Sequence, residues 1–169
     1  MYKHFLREEG KELELRNRIS LKAVKVWRQS GLISAVVITV LAIALTVVAN
    51  KFDWSTWIIY AAWGTLVLEF ILYVFIIPSL RWKWWRYEVR ESEIEIQKGL
   101  FIIERTLVPM IRVQHVETKQ GPLMRRNDLA SVEISTAATT HEIPALDREE
   151  AEHLRQYIAQ MVTMVKEDV

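Results

Sequence analysis

The chain has 169 residues, of which 51% are hydrophobic and 25% are charged, and its formal net charge is +1. This length suits one ordinary domain. The complete lack of cysteine excludes disulfide bonds, thiol catalysis and cysteine-ligated zinc sites. The apolar residues are concentrated in the first half of the chain, so their distribution is more informative than their average.

Residues 1–18, MYKHFLREEGKELELRNR, carry charges of both signs without a sustained apolar face. We interpret them as a mobile or partner-bound tail. The segment SLKAVKVWRQ that follows offers Ser20 as an N-cap and places basic and apolar side chains on different sides of a helix. Residues 1–30 are therefore predicted to form a cytoplasmic tail and a helix lying in or entering the membrane interface.

Two apolar runs come next. Residues 32–49 contain no charged residue, and residues 54–77 contain only Glu69. Each run reaches the roughly 20 residues that a helix needs to cross a bilayer core of about 30 Å. Because the turn NKFD between them is short, residues 31–79 are predicted to form an antiparallel hairpin of two transmembrane helices.

The basic residues around this hairpin predict its orientation. Five lie at residues 16–28, just before the first apolar run, three directly follow the second run, and the turn holds only Lys51. The flanking residues are Arg16, Arg18, Lys22, Lys25 and Arg28 on the first side, and Arg81, Lys83 and Arg86 on the second. The positive-inside rule then predicts a multi-pass protein of the inner (plasma) membrane with both termini in the cytoplasm.

The segment LRWKWWRYE at residues 80–88 interleaves aromatic and basic side chains. Such a mixture suits either the stacking of single-stranded nucleic acid or the anchoring of a helix at the membrane interface. The apolar run before it favours the anchor, and we predict no nucleic-acid partner. The predicted interface-anchor side chains are Trp27, Trp54, Trp57, Trp82, Trp84 and Trp85.

Glu69 lies inside the second apolar run. A charged side chain near mid-membrane costs about 3 kcal/mol on insertion scales, so such residues usually face protein and have a partner. We expect an uncharged Glu69 that hydrogen-bonds to Thr39, to a backbone carbonyl of the first helix or to another subunit. The alternative is a proton or ion site.

From Tyr87 onward the apolar residues alternate with polar ones, which is typical of half-buried strands. We predict strands at residues 87–97 and 100–108, a bulged strand near Gln114 and His115, a strand around Val132 and a last edge strand that ends at Pro144. A C-terminal amphipathic helix follows, with Asp147 as N-cap and Glu150 completing a capping box. Residues 80–169 are thus a mainly-β cytoplasmic domain with a C-terminal α-helix.

This order of elements resembles a pleckstrin-homology (PH)-like domain. Behind a two-helix hairpin it is similar to the bacterial membrane proteins of the YdbS-like family. The segments that carry the resemblance are PSLRWKWWRYEV, KGLFIIERTLVPMIRVQHVETKQGPLMRR and LASVEISTAATTHEIPAL. The resemblance implies a bent antiparallel sandwich that the C-terminal helix closes at one corner, and it implies no recognised catalytic motif.

The sequence contains no glycine-rich phosphate loop, nucleophile elbow or HExxH motif. His115 and His141 are isolated on predicted strands, and Glu150 with His153 forms only one E-x-x-H pair, where a di-iron site needs two. We therefore predict no enzyme activity, cofactor, metal site or small-molecule substrate.

Two functions remain open. The first is a non-catalytic membrane protein whose PH-like module docks a partner protein, either another membrane protein or a second copy of the chain. The second is lipid-headgroup sensing or an envelope-stress role, with Arg125 and Arg126 as possible headgroup contacts. Residues 79–169 carry 13 Lys and Arg against 15 Asp and Glu, so the module has no strong basic excess.

Overall fold

A computed structural model describes residues 15–100 and 102–167 of the chain. These residues divide into two units. We call residues 24–80 the membrane unit, and residues 15–23 together with residues 81–167 the PH-like unit. Some residues from before the first apolar run thus belong to the same unit as the strands, whereas the sequence assigned them to a separate tail.

Two long apolar helical spans, Lys22–Lys51 and Thr56–Trp84, are each long and apolar enough to cross a membrane, which agrees with the predicted hairpin. The first is a single helix, α1 (Lys22–Lys51), so the predicted interfacial helix is continuous with the first span. The second consists of α2 (Thr56–Phe70), one π-helical segment (Ile71–Ile76) and α3 (Ile77–Trp84).

Within the membrane unit, Gly31 marks a close approach between the two spans. A Cβ atom built on Gly31 would lie 2.8 Å from the backbone carbonyl oxygen of Tyr73, in the π-helical segment. Only a residue without a side chain fits there, which is how small residues let helix backbones approach in membranes.

Sheet A of the PH-like unit is antiparallel and has the strand order β1–β2–β3–β4. Its strands are β1 (Asn17–Arg18), β2 (Arg86–Val89), β3 (Glu93–Lys98) and β4 (Glu104–Pro109). Residues 87–97, predicted as one strand, are two strands joined by a turn in which the Arg90 N–H donates to the Glu93 carbonyl at 2.9 Å. Pro109 ends β4. Because proline has no backbone N–H to donate to a neighbouring strand, its position on the edge strand β4 is the expected one.

Sheet B has the order β5–β6–β7, with β5 (Val113–Lys119), β6 (Leu129–Thr136) and β7 (Thr140–Asp147). A 3-10 turn (Met110–Arg112) leads into β5, and the short helix α4 (Pro122–Arg126) joins β5 to β6. The predicted bulge is confirmed by a register shift between Val113 and His115. The strand predicted to end at Pro144 continues to Asp147, because Pro144 and Ala145 lie in a second irregularity of the ladder.

The core lies between the sheets and the C-terminal helix α5 (Arg148–Glu167). Its fully buried side chains include Ile94, Met110, Ile134, Ile143 and Ile158. The sequence predicts only a local capping-box role for Glu150, but the residue also makes a distant contact. Its carboxylate accepts a 2.8 Å hydrogen bond from the Tyr87 hydroxyl and so connects α5 to sheet A.

Candidate functional site

One row of side chains crosses sheet A and brings distant parts of the sequence together. Arg18 lies opposite Arg86, Arg86 lies opposite Gln97, and Gln97 lies opposite Arg105. Residues directly opposite in antiparallel strands project from the same face of the sheet. One row therefore contains three guanidinium groups and one amide, spread over about 14 Å at the usual strand spacing.

This row forms one wall of a cleft of about 390 Å³. We call it the basic cleft; its lining residues are Leu15, Arg18, Trp82, Lys83, Trp84, Arg86, Gln97, Ile103 and Arg105. Lys83 adds a fourth cation, and none of these lining residues carries a carboxylate. The cleft therefore combines positive charge with aromatic and aliphatic surface.

Hydrogen bonds and ring contacts orient several of these side chains. The Trp82 Nε1–H donates to the Ile19 carbonyl at 3.1 Å, and the Arg18 guanidinium carbon lies 5.8 Å from the Trp82 ring centroid. Such a cation–π contact holds a guanidinium group over the ring. On the other side, the Arg105 Nε–H donates to Gln97 Oε1 at 2.9 Å. The cationic groups are thus positioned by the protein itself.

The second opening of the PH-like unit is a groove of about 540 Å³ between the end of β4, the β6–β7 turn and the end of α5. We call it the corner groove. Its apolar lining includes Leu107, which is 52% exposed, and Ile111, which is 48% exposed. Arg112, His141 and Lys166 also line it, and none of its described lining residues is Asp or Glu. The edge of β4 that pairs with no described strand borders this groove.

The six tryptophans predicted as interface anchors differ in their surroundings. Trp54 and Trp57 are 48% and 66% exposed at the hairpin turn, and Trp27 is half-buried in α1. Trp82 and Trp84 are half-buried and line the basic cleft. Trp85 is only 7% exposed, so its ring belongs to the core of the PH-like unit and is not available to lipid headgroups. Its assignment as an anchor was wrong, because Trp85 already follows the inward alternation that continues at Tyr87.

Glu69 has a partner on the first span, but it is not Thr39. The Ser34 hydroxyl lies 3.2 Å from Glu69 Oε1 and donates to it. The Thr39 hydroxyl donates instead to the Ala35 carbonyl of its own helix at 2.7 Å. The contact lies five residues nearer the start of α1 than the predicted partner Thr39.

Arg125 and Arg126 are exposed at the end of α4, and neither lines the basic cleft. His115 lies 3.4 Å from Glu117 on the surface of β5, and His141 Nε2 is 2.9 Å from the Thr139 hydroxyl. Within residues 15–100 and 102–167, no group of three or more His, Cys, Asp or Glu side chains is placed to hold a metal ion.

Burial affects the titration of one group near the sheet. Tyr87 is 2% exposed, and this burial, together with the hydrogen bond and the negative charge of Glu150, raises the pKa of its hydroxyl well above the usual value of 10. The neutral hydroxyl therefore remains a donor to Glu150 throughout the physiological range.

Comparison with known proteins places these features in a family. The family described as bacterial PH domain matches residues 18–162. The chain is 47% identical over 154 residues to the UPF0699 transmembrane protein YdbS of Bacillus subtilis (strain 168), covering 91% of this chain and 97% of that protein. It is 24% identical over 102 residues to YdbT of the same organism, covering 57% of this chain but 20% of that protein. No solved structure matches the chain.

Proposed function

The chain belongs to the bacterial PH domain family, and on that premise we propose that it is a non-catalytic membrane protein whose PH-like unit docks a partner protein. In this proposal the protein lies in the inner (plasma) membrane with both termini in the cytoplasm. The hairpin holds the PH-like unit at the membrane surface, where the unit meets partners that are themselves membrane proteins.

The corner groove is the observation that supports docking. Among residues 15–100 and 102–167, no strand pairs with the outer edge of β4. Leu107 of β4 and Ile111 of the following turn are exposed apolar side chains in the groove next to this edge. A free strand edge can pair with an extended segment of another protein through backbone hydrogen bonds, with pockets for alternate side chains providing specificity. A strand edge that is not covered by a specific partner can pair with other chains and cause aggregation.

The charge of the groove indicates which segment it would accept. Arg112, His141 and Lys166 border the apolar surface, and the lining residues that the structure describes include no carboxylate. We expect the occupant to be an extended segment of a membrane protein that carries both acidic and apolar side chains, because complementary charge sets specificity and register.

A photo-crosslinker in place of Leu107 tests this proposal in native membranes, with the same crosslinker at Lys119, on β5 outside the groove, as the matched control. We expect one discrete protein adduct from position 107 and none from position 119. Adding Ile111→Asp should abolish the adduct from position 107. An adduct with a second copy of the chain would identify a homo-oligomer. Failure to obtain any protein adduct would contradict docking at this groove.

The orientation has its own test, which is simplified by the lack of native cysteine. A cysteine at Asp53, in the hairpin turn, should react with a membrane-impermeant reagent in intact cells, because the positive-inside rule places the turn outside. A cysteine at Lys119 should react only after the cells are opened. The reverse pattern would overturn the proposed topology.

Headgroup sensing through Arg125 and Arg126 is the second candidate function. Both side chains are exposed, and the five residues of α4 include no acidic one. Reversing both charges should weaken flotation of the protein with anionic vesicles if they contact headgroups. Unchanged flotation would show that these two side chains have no such role.

A further inference from the structure

We propose that the basic cleft binds the phosphodiester headgroup of an anionic phospholipid. This goes beyond the docking function, because the cleft lies on sheet A and at the end of α3 and shares no lining residue with the corner groove. It also differs from the headgroup contact predicted from the sequence, since neither Arg125 nor Arg126 lines it.

The cross-strand row is the first argument. Arg18 lies directly opposite Arg86, so both guanidinium groups project from one face of sheet A. Arg105 follows two strands further along, with only Gln97 between them. Guanidinium groups are suited to a phosphate, because their N–H groups can donate two parallel hydrogen bonds to its oxygens.

The apolar lining is the second argument, and it favours a lipid over free phosphate. A free phosphate ion has no apolar part, whereas the cleft presents Trp82 and Trp84 together with Ile103, which is 50% exposed. Tryptophan is enriched at the depth of the headgroups because its ring is amphipathic. A volume of about 390 Å³ is within the range of small-molecule sites and is larger than a phosphate ion needs.

The position of the cleft along the chain is the third argument. Trp82, Lys83 and Trp84 are the last residues of α3, which begins at Ile77, the last residue of the apolar run. At a rise of about 1.5 Å per residue, these side chains lie about 8 to 11 Å along the helix from Ile77. The headgroup region on each side of a bilayer is about 5 to 8 Å thick, so these side chains lie at its outer edge when Ile77 lies at the edge of the hydrocarbon core.

The test uses the full chain in nanodiscs of phosphatidylcholine containing a minor fraction of phosphatidylglycerol, and native mass spectrometry counts the lipid that remains bound. The variant is Lys83→Gln with Arg105→Gln. The matched control is Lys119→Gln with Arg155→Gln, which also removes one Lys and one Arg but outside the cleft. Lys83→Gln alone is a milder second variant, since Lys83 is exposed and its replacement leaves folding intact.

We expect one phosphatidylglycerol to remain bound per chain and the double variant to bind it about 25-fold more weakly, because each basic group near an anionic surface contributes roughly a factor of five. Lys83→Gln alone should weaken binding of the lipid about fivefold. The control variant should bind the lipid as tightly as the parent chain. Soluble glycerophosphoglycerol, which lacks acyl chains, should not displace the lipid.

Three results would overturn the proposal. Equal retention of phosphatidylcholine and phosphatidylglycerol would show that the cleft does not recognise an anion. Equal weakening by the control would show general attraction between the protein and the surface. Displacement of the lipid by an equal concentration of glycerophosphoglycerol would assign the cleft to a soluble phosphodiester.

Discussion

In the membrane unit no described buried residue is larger than valine, and Gly31, Ala42 and Ala49 are among them, whereas the PH-like unit buries larger branched side chains such as Ile94 and Ile143. The spans have most of their apolar side chains exposed, since lipid surrounds them and burial against protein contributes no hydrophobic gain there. The PH-like unit depends on removing apolar surface from water. The same kind of substitution should therefore lower the free energy of unfolding much more in the PH-like unit than in the membrane unit.

The largest difference is expected for one isoleucine in each unit. Ile143→Ala removes a fully buried side chain and should lower the free energy of unfolding by about 2 to 5 kcal/mol. Ile33→Ala, at a position that is 56% exposed in α1, should change it by less than about 0.5 kcal/mol. Denaturant titrations of the full chain in detergent micelles compare the two. A similar loss for both would mean that the spans also rely on side-chain burial.

A glycine pair tests the membrane unit alone. Gly31→Ala would place a Cβ atom 2.8 Å from the Tyr73 carbonyl oxygen, and we expect overpacking to cost about 1 to 3 kcal/mol. Gly64→Ala meets nothing within 4 Å in the described structure and should cause no loss. Thermal unfolding of the hairpin in micelles measures both. Tolerance of Gly31→Ala would show that the spans can move apart at little cost.

Tyr87→Phe tests how α5 is held to sheet A. It removes the donor to Glu150 and should lower the free energy of unfolding by about 1 to 2 kcal/mol. Because folding raises the pKa of this hydroxyl, its contribution is complete below pH 10 and is lost as the pH rises further. Denaturation of the parent chain and of the variant at pH 8 and pH 11 measures this. If the two chains lost the same stability above pH 10, Tyr87 would not be the group responsible.

The smallest effects are expected at the intramembrane polar pair. Ser34→Ala should cost about 0.6 kcal/mol, the average for interhelical hydrogen bonds in membranes, and Glu69→Gln should cost less because an amide can keep the bond. Thr39→Val should leave the pair unchanged, since its hydroxyl donates within its own helix. Complementation by the Glu69→Gln protein distinguishes the roles. Loss of function at a normal protein level would support the proton or ion alternative instead.

Local patterns in the sequence were sufficient for most of the architecture. Uninterrupted apolar runs predict membrane spans because every backbone polar group in lipid must be paired within a helix. Alternation placed Ile94, Ile96, Val132 and Ile134 correctly inside, since the side chains of a strand point to opposite faces in turn. The apolar stripe of the last helix likewise includes the buried Ala151 and Ile158.

The errors occurred where a distant segment of the chain decided the contact. Residues 17–18 become an edge strand only because β2 is available to pair with them. Trp85 is buried only because the sheet turns it inward, and Glu69 meets Ser34 rather than Thr39 because of the register between the two spans. The pairing of β1 with β2 and the contact between Glu69 and Ser34 have no local sequence signal, whereas the burial of Trp85 follows the alternation that continues at Tyr87.

The sequence by itself determined the two membrane spans, the alternating segments that contain β2 to β7 and the amphipathic last helix, because each depends on the period of apolar residues over a short range. The basic cleft was decided only by the tertiary structure. Arg18, Arg86 and Arg105 lie in three separate parts of the chain, and the pairing register of four strands brings them onto one face. A shift of that register by a single residue would move side chains to the opposite face and remove the site.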